Sequence, residues 1–197
     1  MHTSSLEHVQ RLVDHYLTEC QELEVIDIGS CDVNGSYKAF FSRPGWGYTG
    51  VDLAPGPNVD VVLNSPYKLP FASHSVDVVV SGQAFEHVEF FWLTWLEMTR
   101  ILRPGGYIFL VAPSRGPEHR YPQDCWRFYP DGFRALGQYG DLEILETTTD
   151  WTPHAAEDSA AWGDTVGVFR QRPMSKLKQW RRVFMQRLRH WLLPGYR

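Results

Sequence analysis

Apolar positions recur along this chain with two different periods, and the alternation between them sets the architecture. Leu6, Val9, Val13, Tyr16, Leu17 and Cys20 fall at helical spacing, which predicts an amphipathic helix over residues 4–20. Ser4, with Glu7 three positions on, fits a capping box at its start. Apolar runs without that spacing read as strands at 24–28, 47–52 and, briefly, 59–63. The β-branched run Val76-Asp77-Val78-Val79-Val80 suits a strand buried on both faces of a parallel sheet. A short helix is expected over 36–41, stopped by Arg43-Pro44-Gly45, and an aromatic-rich helix over 89–102. The latter ends at Arg103-Pro104-Gly105-Gly106, and Tyr107 to Val111 restarts the chain as a strand, a helix–turn–strand junction. A helix over 130–139 and strands over 142–149 and 165–170 complete the series. Residues 113–130 and 151–163 carry no period and read as long loops, which at that length are often functional.

Alternating strands and helices predict an α/β domain with an open, mostly parallel, twisted sheet. The 197 residues fit one domain. No apolar run approaches the ~18 residues a membrane helix needs, and the first ten residues lack the basic-then-apolar pattern of a signal peptide. Cys20, Cys31 and Cys125 are too scattered for a disulfide framework or a metal knuckle, so a cytoplasmic location is expected. The net charge of −4 hides an asymmetry: ten cations against 23 acids give −13 through residue 169, and the remainder carries +9. An acidic body argues against nucleic acid as the main partner, because phosphate binding needs a basic stripe on the folded face.

Two strand ends carry the first chemical cue. The apolar run at 25–28 encloses Asp27 and breaks into a turn holding Gly29 and Gly35, where the backbone can approach a ligand closely. The next strand ends at Asp52. A glycine-bearing turn after strand one and an acid ending strand two is the layout of a nucleoside-binding α/β domain, in which the second acid grips ribose hydroxyls. The dinucleotide fingerprint G-x-G-x-x-G fails, since only Gly29 and Gly35 follow Asp27.

VIDIGS at 25–30, YTGVDL at 48–53, the stretch 69–88 and RILRPGGYIFLVAPS at 100–114 resemble, in order, the motifs of class I S-adenosylmethionine-dependent methyltransferases. The resemblance implies a Rossmann-like, doubly wound, seven-stranded, mostly parallel sheet with flanking helices and an antiparallel last strand. It implies a methyltransferase domain over 1–170 and a separate basic tail over 171–197. It sets the methionine end and sugar of S-adenosyl-L-methionine on the first turn, against Asp27, Gly29, Ser30 and Gly35. Asp52 would take both ribose hydroxyls and Leu53 the adenine face. Ser65 stands where the family usually has an Asp for the adenine amine, and Ser81 and Gln83 end strand four under the sulfonium. Cys31 and Val33 replace two glycines usual in that turn.

Two clusters are candidates for catalysis. Glu86-His87 follows strand four, and a similar pair with a third acid holds a divalent cation in some quinone-pathway O-methyltransferases. Here Gln83 stands where an acid would be, so a Mg-type site would need Glu86, His87 and Asp124. Residues 116–131 mix His, Arg, Asp and aromatics densely. His119 is a candidate general base, because an ordinary imidazole is largely neutral at pH 7; Asp124 would orient it or ligate metal. Arg120, Tyr121, Trp126, Tyr129 and, from the second loop, Trp151 would bind the acceptor. His154, Asp158, Trp162 and Asp164 share that second loop. The stretches 90–102, 119–132 and 162–171 resemble a subgroup associated with polysaccharide assembly, which implies a saccharide hydroxyl, such as that of a mannoside, as acceptor. A small aromatic or quinone-like hydroxyl, or an inactive cofactor-binding partner subunit, are the alternatives.

The tail interleaves Lys176, Lys178, Arg181, Arg182, Arg187 and Arg189 with Leu177, Trp180, Val183, Phe184, Leu188, Trp191 and Leu192 at near-helical spacing. A helix docked on the domain or on a second copy, a peripheral contact with an anionic membrane, and RNA binding are the readings open to it.

Overall fold

The computed structural model describes residues 2–192 and, within the last helix, the side chains of 177–181, 183–185 and 188. Seven strands form one sheet: β1 (Leu23–Ile28), β2 (Trp46–Asp52), β3 (Val61–Val62), β4 (Val76–Gly82), β5 (Leu102–Pro113), β6 (Leu142–Thr149) and β7 (Asp164–Gln171). Their order is β3-β2-β1-β4-β5-β7-β6. β1 to β5 pair in parallel, and β7 lies antiparallel between β5 and β6. The helices are α1 (Thr3–Tyr16), α2 (Phe91–Ile101), α3 (Pro130–Tyr139) and α4 (Lys176–Leu192).

The two-faced burial expected of the central strands is present residue by residue. Val78 and Val80 face one core with Val9, Leu12 and Val13 of α1, together with Phe109, Val111, Val166 and Val168. Val79 faces the other with Trp95, Met98 and Ile101 of α2 and Phe133 and Leu136 of α3, beside Ile26, Ile108 and Leu110. Side chains alternate across a strand, so a run of buried β-branched residues fills both layers at once.

Several local expectations are corrected. α1 stops at Tyr16 rather than running to residue 20; the Thr18 hydroxyl takes the Asp14 carbonyl, and the Cys20 N–H turns back on Leu17 O at 3.1 Å. The capping box does not form, because His2 is the N-cap. The helix is capped from across the fold instead. The Thr3 N–H donates to Asp158 Oδ2 at 2.9 Å and the Ser4 N–H to Ser159 Oγ at 3.0 Å. The short helix before β2 is a single 3₁₀ turn, Lys38–Phe41. At Arg103-Pro104-Gly105-Gly106 the chain bulges within β5 rather than preceding it. Leu102 already pairs with Val76, and the next pair is Tyr107 with Val78. Gly105, at φ +87, supplies the turn that the bulge requires.

Lys176–Leu192 of the basic tail is helical and α2 touches it. Lys178 Nζ pairs with Asp141 at 2.7 Å, and Trp180 stacks on Phe184 with both rings largely exposed. The expected side chains Lys176, Arg182, Arg187, Arg189, Trp191 and Leu192 lie outside the described residues. No helix among the described residues is long and apolar enough to cross a membrane.

Candidate active site

Because β1 leads to β2 on one side and β4 lies on the other, a crevice opens at the carboxyl ends of β1, β2 and β4. This is the switch point where open α/β sheets bind ligands. A cleft of roughly 990 Å³ occupies it, within the ~300–1,000 Å³ typical of small-molecule sites.

The turn after β1 is fixed by backbone. The N–H groups of Gly29 and Ser30 donate to Val51 O at 2.9 and 3.1 Å, and that of Asp32 to Pro57 O at 3.0 Å. Gly29, at φ +80, lines the cleft, and a Cβ there would stand 2.5 Å from the Ala84 Cβ. Asp52 closes β2 with its carboxylate at the cleft. Oδ1 accepts the Leu53 N–H at 2.7 Å and Oδ2 the Cys31 N–H at 3.1 Å. A carboxylate has about four acceptor positions, so two remain for hydroxyls of a ligand. Leu53 is 48% exposed on the same wall, with Val33, Ala54 and Leu63. These are the features a nucleoside needs: a close backbone approach, an acceptor pair and an apolar face.

The expected cofactor residues divide. Gly29, Asp52, Leu53 and Gln83 line the cleft, whereas Asp27, Ser30, Gly35, Ser65 and Ser81 stand outside its lining. Each of those five has a structural partner. Ser30 Oγ donates to Asn58 O at 3.0 Å, Ser81 Oγ to Ile28 O at 2.9 Å, and Ser65 Oγ accepts the Tyr67 N–H at 3.2 Å. The Gly35 N–H donates to Asp32 Oδ1 at 2.8 Å. Asp27 is buried behind the turn, accepting the Tyr48 hydroxyl at 2.6 Å on Oδ2 while Oδ1 has no partner. Burial pushes its carboxyl up to about 7, against the lowering effect of Tyr48.

Across β1 from Asp52, the segment after β4 carries the second set. Gln83 sits in the left-handed region at φ +57, held by its N–H to Val111 O at 2.9 Å and its Nε2 to Asp164 Oδ1 at 2.9 Å. His87 Nδ1 lies 2.5 Å from Gln123 O, so the ring donates there and Nε2 is its free acceptor. Burial lowers the His87 pKa, with the neighbouring His119 acting in the same direction. Glu86 is fully buried, and burial pushes its carboxyl up to about 8. The His87 and His119 rings meet edge to face at 4.8 Å, and both line the cleft.

Asp124 does not join Glu86 and His87. Arg127 holds it with contacts of 2.6 and 2.8 Å, and the His119 N–H donates to it at 2.8 Å. The Arg127 hydrogen bonds keep its carboxyl well below the usual range. Among the described residues, the grouping that could hold a cation is Glu86, His87 and His119. Arg120 and Tyr121 line the cleft; Trp126, Tyr129 and Trp151 do not. Trp126 Nε1 is spent on Val88 O and Glu89 O, both at 3.1 Å, while Tyr129 and Trp151 stack 6.0 Å apart as an exposed pair.

One wall was not legible in advance. His2 lies in the cleft, stacked on Trp162 at 5.7 Å, and its Nε2 reaches the Asp164 carboxylate at 3.0 and 3.1 Å. Burial would raise the Asp164 pKa, but hydrogen bonds from His2, Ser4 and Gln83 leave it lowered. The start of α1, the loop after β6 and Gln83 are thus tied together. A periodic pattern cannot report that contact, because His2 precedes the first helical repeat.

Comparisons agree with this geometry. Residues 26–110 match the family model described as "Methyltransferase domain". An "Uncharacterized methyltransferase" of Mycobacterium sp. (strain KMS) is 40% identical over 162 residues, 73% of this chain and 62% of that protein. The chain thus spans less than two thirds of that relative. A Burkholderia thailandensis 1,6-didemethyltoxoflavin-N1-methyltransferase, solved with bound 1,6-didemethyltoxoflavin and S-adenosylhomocysteine, superposes at a TM-score of 0.67, 16% identity, covering 86% of this chain and 79% of that one. The [4+2]-cyclase SpnF superposes at 0.65, with 12% identity and 85% and 82% coverage. Sheet order and the solved neighbours show a Rossmann-like fold, and residues 26–110 together with these relatives make the chain similar to class I S-adenosylmethionine-dependent methyltransferases.

Proposed function

We propose that the chain transfers a methyl group from S-adenosyl-L-methionine to a hydroxyl of a small acceptor, in the first instance a saccharide. The observation that carries this reading is the convergence of His87 and His119 on the cleft, across β1 from Asp52. An amine needs little beyond deprotonation, whereas an alcohol is a poor nucleophile at neutral pH and needs a positioned base or metal. S-adenosyl-L-methionine supplies an electrophilic methyl group on a sulfonium. Asp52 holds the sugar hydroxyls and Leu53 covers the base. At the acceptor end, His87 presents Nε2 for the hydroxyl proton, its ring fixed by Gln123 O. Such a base contributes ~10²–10⁴ in rate, and alignment of the reactants another ~7–11 kcal/mol.

The exposed ring of Tyr121 in the cleft favours a sugar, whose C–H faces stack on aromatic surfaces. A small aromatic or quinone-like hydroxyl is the second reading, favoured by the apolar lining of Leu63, Phe85 and Val88. In this proposal residues 1–170 are the catalytic unit, and the basic tail brings it to an anionic membrane surface or to a second copy. The test is an acceptor panel of glycosides, phenols, amines and thiols with labelled S-adenosyl-L-methionine. Label on a glycoside oxygen is expected; transfer to amines or thiols alone refutes the reading, as does failure to bind S-adenosylhomocysteine in calorimetry.

A further inference from the structure

The acceptor end holds a feature that a base alone does not explain. Glu86 is fully buried, and neither of its carboxyl oxygens has a hydrogen-bond partner among the described residues. Buried carboxyls are normally satisfied, because an unpaired one costs several kcal/mol. Its neighbours are two imidazoles. One donor atom each from Glu86, His87 and His119 lies within 4.8 Å of the others.

His87 Nδ1 faces Gln123 O at 2.5 Å, which leaves Nε2 as its free lone pair, the arrangement that metal-bound histidines require. His119 Nδ1 lies 3.3 Å from Asp124 Oδ2 and is buried without a hydrogen-bond partner among the described residues. His87 Nε2 stands 3.7 Å from Glu86 Oε1. The two segments are fastened together, since the N–H groups of Cys125 and Trp126 both donate to Glu86 O, at 2.7 and 3.2 Å.

We propose that Glu86, His87 and His119 bind a divalent first-row transition ion, with zinc as the reference case, at the acceptor end of the cleft. Two imidazoles and one carboxylate select such ions over magnesium or calcium, which prefer all-oxygen sets. Donors around zinc at ~2.1 Å stand about 3.4 Å apart, so binding draws the loop carrying His119 inward by roughly an ångström. Three protein ligands leave the remaining position facing the cleft, the open pattern of a catalytic rather than a structural site. There the ion, in place of a free His87 Nε2 acting as base, would acidify an acceptor hydroxyl. That role rests on the proposed function; the binding itself does not.

The experiment is titration of chelator-treated protein with Co²⁺, followed by visible d–d absorption, and with Zn²⁺ by calorimetry. One equivalent is expected. The isosteric Glu86→Gln, and His119→Gln, should each weaken binding at least tenfold, with S-adenosylhomocysteine binding retained as the check on folding, and His15→Ala should leave binding unchanged. Absence of stoichiometric binding, or unchanged binding in a His87→Ala/His119→Gln double variant, overturns the proposal. Turnover by metal-free protein that chelator leaves unchanged would remove the ion while methyl transfer stands. Stoichiometric metal without S-adenosylhomocysteine binding would support the site while the methyltransferase reading falls.

Discussion

Asp27→Asn should make the protein more stable, and more so as the pH rises. The wild-type carboxyl is 1% exposed, accepts one hydroxyl from Tyr48 and leaves Oδ1 without a partner. Burial raises its pKa from 3.8 to about 7, with the charge of Asp52 adding to the effect. A raised folded-state value means that the fold prefers the protonated acid. The stability it contributes is complete below pH 3.8 and is lost as the pH climbs through about 7. Each pH unit inside that window costs ~1.4 kcal/mol, so the whole span is worth on the order of 4 kcal/mol. The substituted amide would keep the shape and still accept from Tyr48, but it cannot ionise. Urea unfolding of both proteins without cofactor, from pH 5 to pH 8.5, reads the difference directly. The advantage of the variant should grow by about 3 kcal/mol up to pH 7 and then level off. A difference that stays flat with pH would refute the argument, because it would mean that Asp27 stays in one protonation state across the window.

Two further outcomes are expected at the cofactor end. Asp52→Asn removes the charge and one acceptor while Leu53 and Cys31 still point N–H groups at the site; losing a charge-assisted bond of ~1.5–3 kcal/mol should weaken S-adenosylhomocysteine about 10- to 100-fold in calorimetry. A change under threefold would count against the ribose assignment. Gly29→Ala meets both a φ of +80 and an Ala84 Cβ at 2.5 Å; it should cost about 2–4 kcal/mol in thermal unfolding. Adding Ala84→Gly should recover the steric part only, and full recovery would show that the backbone there is unstrained.

The architecture was legible because its cause is repetitive. Val76 to Val80 announce a two-faced strand, and β6 and α3 fall where the periods put them. The misread boundaries share a different cause, which is competition by a side chain or a distant segment. Thr18 ends α1, Asp158 and Ser159 cap it in place of its own Ser4, and the bulge at Gly105 begins β5 early. At the site, strand-end logic points to Asp52 and Gln83, and both line the cleft. It could not separate Ser30 and Ser81, which bond backbone carbonyls, from residues that face the ligand, because that choice depends on which side of the pleat each lies. Asp124 looked like a ligand by composition, but Arg127, three residues on, takes its carboxylate.

What the acceptor is must come from that same end of the cleft, because the fold does not decide it. An N-methyltransferase and a cyclase superpose on this chain almost equally well, at 0.67 and 0.65, so the sheet supplies a place for a nucleoside and leaves the reaction open. The discriminating quantity is what the protein sacrifices in stability near the acceptor. Leaving Glu86 buried without a donor beside two imidazoles is costly, and a hydrophobic residue there would pack without that cost. An amine acceptor would not require the carboxyl, since a neutral amine attacks unaided. A hydroxyl acceptor would, whether the group shares a proton with the histidines or completes a metal site. Glu86→Leu separates these cases: it should raise the unfolding free energy by about 1–3 kcal/mol while lowering turnover of a hydroxyl acceptor at least a hundredfold. Stability gained with turnover kept would mean that Glu86 has no part in the chemistry.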